Sequence, residues 1–378
     1  MSFSDRPVVL VLFGGQSSEH EISCATAAGV LEAIDQTRWE VIPVGITRDG
    51  HWVPQPNDPA RYRLGETGGY EVLSQGEQVS FLSGTTSDGH PRLVYFQVDE
   101  EGRPLAESLH PGPVVDVVFP LLHGPFGEDG TLQGLLELSG VRYVGCGVSA
   151  SAVAMDKRLT KTVLEDAGIP VGRWEGVSAR QWQADREGVL ARLDRLGLPV
   201  FVKPCRAGSS LGITRVTDAG ELAAAIEAAH EHDPQVIVEA AHAGREIECG
   251  ILQLPGGELV ASPLGEITVT DAQFYDYESK YFGQGGVQLS CPAQVNHAAA
   301  IQEAARVSFE ALGAEGLARV DFFYQEETGS YIVNEVNTLP GFTPYSMYPT
   351  MLAQAGYPYP KLVATLLEEA MSRPVGLR

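Results

Sequence analysis

The stretch from Leu317 to Ser346 contains the pattern that most restricts how this chain can fold. Two runs of apolar, β-branched and aromatic residues are separated there by a short polar segment, Glu326 to Ser330, which contains a glycine. Such a pattern predicts a β-hairpin with a five-residue loop. Because side chains alternate between the two faces of a strand, Arg319 and Asp321 are expected on the face opposite the apolar residues of the core.

The second strand of this hairpin carries Glu335 and Asn337, which share a face by the same alternation. The loop length allows Asp321 to lie opposite Glu335, which brings three oxygen ligands together beside the Arg319 guanidinium. Mg²⁺ prefers a few carboxylates combined with phosphate oxygens, so the pattern favours a magnesium site. The alternative is a hairpin with solvated charges, but a charge buried within apolar strands requires a partner or a metal.

The N-terminal residues predict an element of another kind. Pro7 to Phe13 is a continuous apolar run, followed by Gly14-Gly15 and an amphipathic segment. A buried strand, a glycine turn and a helix open a doubly wound α/β domain. Glu19 falls in the first helical turn, where an acid interacts favourably with the helix dipole. Binding of a ligand by Glu19 is the alternative interpretation.

His123 follows the apolar strand 114–121 and precedes a glycine-rich turn. The carboxyl end of such a strand is where α/β domains bind ligands. Further along, Gly145 to Ala150 matches a dinucleotide-binding fingerprint, but that fingerprint belongs on the first strand of its unit and here lies at the start of a new domain. A helix over 149–167 is predicted next, and it carries Lys157.

Lys203 follows strand 198–202 and enters the glycine- and serine-rich segment 206–212. A lysine beside free amides and hydroxyls is the chemistry of a phosphate-covering loop, although the sequence has no GxxxxGK[ST] pattern. An ordinary β-turn is the alternative. Glu239 and Glu246 lie in the next strand-like segments, where they either accept hydrogen bonds from an adenine amine and ribose hydroxyls or are solvated.

Length and composition restrict the class of protein. A chain of 378 residues has room for two or three domains. Its net charge of -23 argues against nucleic-acid or anionic-membrane binding. The five cysteines lack the spacing of a zinc site or a redox dithiol, so reduced thiols and a cytoplasmic location are expected. No export leader or membrane-spanning apolar run is recognisable.

Two segments are less informative. Residues 54–113 are rich in Gly, Pro, Ser and Asp and are interpreted as a peripheral insertion without chemistry. Residues 268–286 include a polar and aromatic run between glycines. This second segment is either a surface hairpin or a loop that closes over an active site.

Taken together, these motifs resemble those of the D-alanine:D-alanine ligases of the ATP-grasp superfamily. The resemblance extends from Gly-Gly-Gln-Ser-Ser-Glu-His-Glu-Ile-Ser near the N-terminus to Asn-Glu-Val-Asn-Thr-Leu-Pro-Gly-Phe-Thr near the C-terminus. It implies an α/β ATP-grasp fold with an N-terminal Rossmann-like domain over 1–145, a central α+β lid domain over 146–243 and a C-terminal α+β domain over 244–378. It also implies ATP-dependent synthesis of D-Ala-D-Ala through an acyl phosphate, for peptidoglycan, by a cytoplasmic homodimer.

The resemblance further implies roles for individual residues. Those expected to bind ATP are Lys157, Lys203, Ser210, Glu239 and Glu246. Those expected to bind Mg²⁺, or Mn²⁺ in its place, are Asp321, Glu335 and Asn337. Those expected to position the two D-alanine molecules are His123, Lys280 and Ser346. Those expected to act in catalysis are Glu19, Ser209, Tyr281, Arg319 and Gly341. Ala207 and the run Ala240 to His242 depart from the family pattern, which leaves the adenine contacts open.

Three other functions compete with this one. A D-alanine:D-lactate ligase of the same superfamily is the nearest, although Lys280-Tyr281 resembles the peptide-forming enzymes. An NAD-dependent dehydrogenase would rest on Gly145 to Ala150, and would leave Lys203 and the acids of the hairpin unexplained. A non-catalytic nucleotide-binding protein would bind ATP without turnover.

Overall fold

The computed structural model describes residues 6–65, 68–74, 76–82, 91–208, 211–269 and 287–376. Ser209, Ser210, Lys280 and Tyr281 lie outside the described residues, as does most of the 268–286 segment. In the part of the chain that is described, no helix has the length and apolar character needed to cross a bilayer.

The N-terminal region forms a mostly parallel sheet flanked by helices. Its elements are β1 (Val8–Gly14), α1 (His20–Ala33), β2 (Glu40–Ile46), β3 (Trp52–Pro54), β7 (Val117–Pro120), α2 (Thr131–Ser139) and β8 (Arg142–Tyr143), and the strand order is β3-β2-β1-β7-β8. β1 pairs in parallel with both β2 and β7. The predicted doubly wound α/β opening is therefore confirmed.

β1 is apolar at every position because both of its faces are covered. Val9 and Val11 belong to one apolar core with α1. Leu10 and Leu12 belong to a second core on the other face of the sheet. A strand buried on both sides loses the alternating pattern and becomes a continuous apolar run.

Residues 54–113 contain a small antiparallel sheet of β4 (Gln78–Phe81), β5 (Arg92–Phe96) and β6 (His110–Val114). The insertion was predicted to be peripheral, and one part of it contacts the start of α1. Gly69 N donates to Glu21 Oε2 at 3.0 Å, and Val72 N donates to His20 Nε2 at 3.0 Å. These two hydrogen bonds attach the insertion beside Glu19.

His20 is fully buried and is held in one tautomer by its partners. Its Nδ1–H donates to the Gly15 carbonyl at 2.7 Å, so Nε2 must carry a lone pair to accept from Val72 N–H. Burial lowers the pKa of His20, with Arg48 acting in the same direction and Glu71 and Glu21 opposing it. The folded protein therefore disfavours the imidazolium form.

Acid is expected to destabilise the fold through His20. In the unfolded chain His20 takes up a proton as the pH falls below its ordinary value of 6.5, whereas the folded form does not. The stabilisation is thus present above pH 6.5 and is lost toward lower pH, by up to about 1.4 kcal/mol per pH unit. Urea unfolding from pH 5 to 8 should show the stability advantage of wild type over His20→Asn shrinking as pH falls. A difference that is independent of pH would contradict this role.

The central region forms an antiparallel sheet with helices on it. Its elements are α3 (Val148–Met155), α4 (Lys157–Asp166), β9 (Trp174–Ser178), α5 (Ala179–Ala184), α6 (Arg186–Leu193), β10 (Val200–Pro204), β11 (Thr214–Val216), α7 (Leu222–His230) and β12 (Gln235–Ala240), with strand order β11-β10-β12-β9. The single helix predicted over 149–167 is wrong. Asp156 interrupts it, because its carboxylate accepts from Arg158 N and Leu159 N and so starts α4.

The C-terminal region forms a second antiparallel sheet. Its elements are β13 (Arg245–Gln253), β14 (Leu259–Ala261), β15 (Gly265–Val269), β16 (Val287–Ser290), α8 (Ala298–Ala311), β17 (Leu317–Tyr324), β18 (Tyr331–Asn337), α9 (Met347–Gln354) and α10 (Tyr359–Ser372). The main strand order is β16-β15-β13-β17-β18, and β14 pairs with β13. The predicted hairpin is β17 and β18, although its connection covers 325–330 and is one residue longer than expected.

The apolar cores show how these regions are joined. One core contains residues of β1, α1 and β7 together with residues of α9 and α10. The central sheet has its own core, which includes Val177, Val202, Ile226 and Val238. The N-terminal and C-terminal regions therefore share a core that the central sheet does not enter.

Candidate active site

The acids of the β17–β18 hairpin lie in one row across three strands. Asp321 is opposite Glu335 on β18, as predicted, and opposite Glu248 on β13. Directly opposed residues of antiparallel strands point to the same face, so the three carboxylates share one surface. A register shift follows Asp321, and it ends the regular pairing immediately after this row.

Arg319 neutralises part of this row. Its Nε and Nη2 donate to the two carboxylate oxygens of Asp321 at 2.7 Å each, and its Nε lies 3.4 Å from Glu248 Oε1. Burial would lower the pKa of Arg319, but Asp321 and Glu248 outweigh burial and raise it well above its usual value. Asn337 Nδ2 also donates to Asp321, at 2.9 Å. The guanidinium is thus fixed and permanently charged.

The acids and Asn337 have the chemistry of a divalent-cation site. Among the described residues, however, no group of three His, Cys, Asp or Glu side chains is arranged to hold a metal ion. Asp321 and Glu335 with the Asn337 oxygen would supply part of a coordination sphere, and Mg²⁺ commonly completes its six positions with water and phosphate. The donor set therefore fits a metal ion that binds together with a phosphorylated substrate.

Two lysines of the central region face this row. Lys203, on β10, lies 2.6 Å from Glu239 Oε2, and Lys157 Nζ donates to the Ala207 carbonyl at 2.8 Å. Burial lowers the pKa of Lys157 against the opposing effect of Glu335. For Lys203, burial is outweighed by Glu239, Glu335 and Glu246, so its pKa is raised. Both lysines thus interact electrostatically with Glu335 of this row.

Glu239 differs from its predicted role in one respect. Both of its carboxylate oxygens contact lysines, with Oε2 beside Lys203 and Oε1 2.8 Å from Lys161 Nζ. Burial would raise the pKa of Glu239, but the two ammonium groups outweigh burial and lower it. An adenine amine would have to share this carboxylate with them, so its contact with adenine stays a prediction.

Glu19 lies where the N-terminal and central regions meet. It is buried immediately before α1. A Cβ atom built on Gly124 would lie 2.8 Å from Glu19 Oε2, and one built on Gly208 would lie 3.6 Å from it. Gly124 has a φ of +72°, a backbone conformation that favours glycine. The carboxylate therefore borders both the turn after His123 and the start of the glycine- and serine-rich segment.

His123 connects the N-terminal sheet to the segment after β18. Its Nδ1–H donates to the Leu339 carbonyl at 3.2 Å, and its Nε2 accepts from Thr26 Oγ1 at 3.3 Å. Burial lowers the pKa of His123, although Glu19 opposes this, so the ring is neutral and the tautomer follows from its partners. Because both ring nitrogens have protein partners, direct contact with a substrate remains a prediction.

Glu128 is an acid of the site that the sequence interpretation did not assign. Its Oε2 accepts from Gly124 N at 2.6 Å, and its Oε1 accepts from Leu339 N at 3.2 Å. Burial and the neighbouring Glu19 raise the pKa of Glu128 to about 8. The available signal was its place in the glycine-rich turn, but Asp129 stands beside it and no periodicity separates the two acids. Glu248 and Lys161 were likewise not among the predicted site residues.

Gly341 and Ser346 lie together after β18. A Cβ atom on Gly341 would lie 3.3 Å from Ser346 Oγ. Ser346 precedes α9, and its Oγ accepts from Thr343 N at 3.1 Å. The structure thus brings these two predicted residues to the end of the hairpin that carries Arg319.

A lysine on one antiparallel sheet and a second lysine on a helix beside it, both interacting with acids on another antiparallel sheet, are typical of the ATP-grasp class, and the fold and the site together define this class here. Known sequences narrow it further. Residues 8–146 match the model of the D-ala D-ala ligase N-terminus, and residues 163–368 match that of the D-ala D-ala ligase C-terminus. The chain belongs to the D-ala D-ala ligase family.

Individual relatives extend over the full length. The chain is 53% identical to the D-alanine--D-alanine ligase of Kineococcus radiotolerans, with 100% of both chains covered. It is 46% identical to that of Streptomyces coelicolor, covering 98% of this chain and 95% of the relative. Among solved structures, the D-alanine-D-alanine ligase of Coxiella burnetii has a TM-score of 0.76 at 33% identity, covering 98% of this chain and 95% of that chain. The VanG D-Ala:D-Ser ligase of Enterococcus faecalis has a TM-score of 0.78 at 33% identity, covering 97% and 100%.

Proposed function

We propose that the protein joins two D-alanine molecules to D-Ala-D-Ala with ATP, for peptidoglycan synthesis. The proposal rests on two observations together. The chain is similar over its full length to D-alanine--D-alanine ligases, and the acids of the hairpin interact with two lysines of the central region. Membership of the family also implies ATP and a divalent metal ion as requirements. Mg²⁺, or Mn²⁺ in its place, would be held by Asp321, Glu335 and Asn337, and would neutralise negative charge on the phosphates.

The first step activates a carboxylate, which is otherwise a poor acyl donor. A carboxylate oxygen of the first D-alanine attacks the γ-phosphorus of ATP, the bond to the bridging oxygen breaks, and ADP leaves. Lys157 and Lys203 hold phosphate oxygens, together with Ser209 and Ser210, while Glu239 and Glu246 contact adenine and ribose. Catalysis of phosphoryl transfer consists mostly of positioning and charge neutralisation, and buried lysines supply both.

The second step forms the peptide bond. The deprotonated amine of the second D-alanine attacks the carbonyl carbon, the bond to the phosphate breaks, and inorganic phosphate leaves. Arg319 and the Gly341 N–H hold the oxygen on which negative charge develops. A guanidinium has five N–H donors, and the ion pair with Asp321 uses two of them.

The remaining roles concern the two amino acids. Glu19 positions the first D-alanine, and His123 acts through Leu339, two residues before Gly341. Lys280 and Ser346 contact the carboxylate of the second D-alanine. Tyr281 forms a network with Ser209 and Glu19, and closure of segment 268–286 excludes water that would hydrolyse the acyl phosphate.

The domain organisation that goes with this function has three units, over 1–145, 146–243 and 244–378. We propose that the ATP-binding space lies between the second and the third, that the enzyme acts as a homodimer, and that it works in the cytoplasm, where ATP is available. Neither nucleic acid nor membrane is a partner in this proposal.

Phosphate release from ATP tests the function directly. With Mg²⁺ and D-alanine, release of phosphate with D-Ala-D-Ala identified by mass is expected. L-alanine should give none, and D-lactate or D-serine as second substrate should compete poorly with D-alanine at neutral pH. Preferential formation of a D-lactate ester or a D-serine dipeptide would replace the proposed acceptor. ATP binding without turnover in folded protein would contradict the proposal.

A further inference from the structure

Three buried charges are in direct contact in the central region. Lys161 Nζ lies 2.8 Å from Glu239 Oε1, and Lys203 Nζ lies 2.6 Å from Glu239 Oε2. The side chains of Lys161, Glu239 and Lys203 are 4%, 9% and 15% exposed, so water contributes little to their solvation. Each charge therefore depends mainly on its neighbours.

Lys161 comes from the same helix as Lys157. The two lysines are four residues apart on α4 and thus lie on one face of it, one turn from each other. The start of this helix is fixed by the Asp156 cap and by the hydrogen bond from Lys157 N to the Cys205 carbonyl, at 3.1 Å. One short helix therefore presents two lysines to the nucleotide region, one beside Ala207 and the other beside Glu239.

The charge of Lys161 affects both the charge and the position of Lys203. With Lys161 present, two ammonium groups share one carboxylate, and the trio has a net charge of +1. Without Lys161, Glu239 would neutralise Lys203 alone, and its freed oxygen could turn and draw the Lys203 ammonium with it. Lys203 would then attract a phosphate less strongly, because its charge is neutralised and because its ammonium group is displaced.

We propose that Lys161 is a positioning residue for nucleotide binding. It holds one oxygen of Glu239, so that the other oxygen orients Lys203 toward the phosphates while Lys203 keeps its charge. The inference rests on the proposed function only in taking ATP as the nucleotide. It predicts an effect on nucleotide affinity and none on the affinity for D-alanine.

The test is to measure by calorimetry the affinity of wild type and of Lys161→Met for ADP in the presence of Mg²⁺. Loss of one charged hydrogen bond predicts an affinity about 10- to 100-fold weaker. The KM for ATP should rise by a similar factor, whereas the KM for D-alanine at saturating ATP should stay unchanged. Lys161→Arg, which keeps the charge, should recover most of the affinity. Lys361→Met removes an exposed lysine that donates to the Gly356 carbonyl and lies over the Tyr357 ring, and should change nothing.

Unchanged ADP affinity in folded Lys161→Met would overturn the inference. So would equal losses of ADP and D-alanine binding, which would indicate a general structural defect. If Lys161→Met does not fold, Lys161→Gln carries the same test, because it keeps a donor for Glu239 without the charge. Since ADP binding is measured without turnover, failure of wild type to make a dipeptide would count against the proposed function alone.

Discussion

Arg319→Lys is expected to lower kcat about 100- to 1000-fold while the protein remains folded. Loss of one donor to a developing oxyanion typically has an effect of this size. Lysine keeps the positive charge among Asp321 and Glu248 but cannot reproduce the planar fork that holds both oxygens of Asp321. Steady-state kinetics with saturating ATP and D-alanine measure the effect, and thermal unfolding verifies the fold.

A matched control for this variant lies on the same sheet. Arg245 pairs with both oxygens of Glu266 at 2.8 Å, at the opposite end of β13 from the Arg319 pairing. Arg245 also contacts Glu326 in the hairpin connection, but it makes no described ion pair with Asp321, Glu335 or Glu248, so Arg245→Lys should leave kcat within about twofold of wild type, as substitutions outside a site usually do. Equal losses in the two variants would mean that Arg319 acts through the stability of the sheet.

Asp321→Asn is expected to raise the Mg²⁺ concentration needed for half-maximal activity by at least 10- to 100-fold, the cost typical of losing even an outer partner of a metal ion. Asparagine keeps the shape but removes the charge that a hard cation prefers. The substitution also removes the carboxylate charge that pairs with Arg319, while the contact of Arg319 with Glu248 remains. Fewer negative charges are then available to balance the charge of the metal ion. The measurement is the Mg²⁺ dependence of phosphate release at fixed ATP.

Glu327 provides the comparison for Asp321. It lies exposed in the connection of the same hairpin, so Glu327→Gln removes an equal charge without touching the row of acids. Its Mg²⁺ dependence should match wild type. If Asp321→Asn behaves like Glu327→Gln, the acids of the hairpin are solvated charges and the metal site lies elsewhere.

The β17–β18 hairpin shows which structural features the local sequence pattern can predict. The pairing of Asp321 with Glu335 was predictable, because a short connection and strict alternation leave few registers. The longer connection and the shift after Asp321 were not, because the alternation of side chains contains no signal for a one-residue bulge. The break in the helix at Asp156 was hidden for a related reason, since the apolar spacing continues through it.

The unassigned members of the site share a physical cause. Lys161 and Glu239 are 78 positions apart, and a lysine on a short helix is normally solvated. One of the two hydrogen-bond partners of Glu128, Leu339 N, is more than 200 residues away. Pairings of this kind arise from tertiary folding, and a single sequence contains no periodic signal for them.

The apolar core shared by β1, α1, α9 and α10 bears on the autonomy of the parts. A fragment ending at residue 146 would expose Val11, Leu31 and Phe119, which in the complete chain pack in one core with Phe342 and Tyr348. Such a fragment would expose a contiguous apolar surface and would be prone to aggregate. The N-terminal and C-terminal family regions are therefore separate in sequence but obligate partners in folding, and neither is expected to be a module that evolution or engineering could move alone.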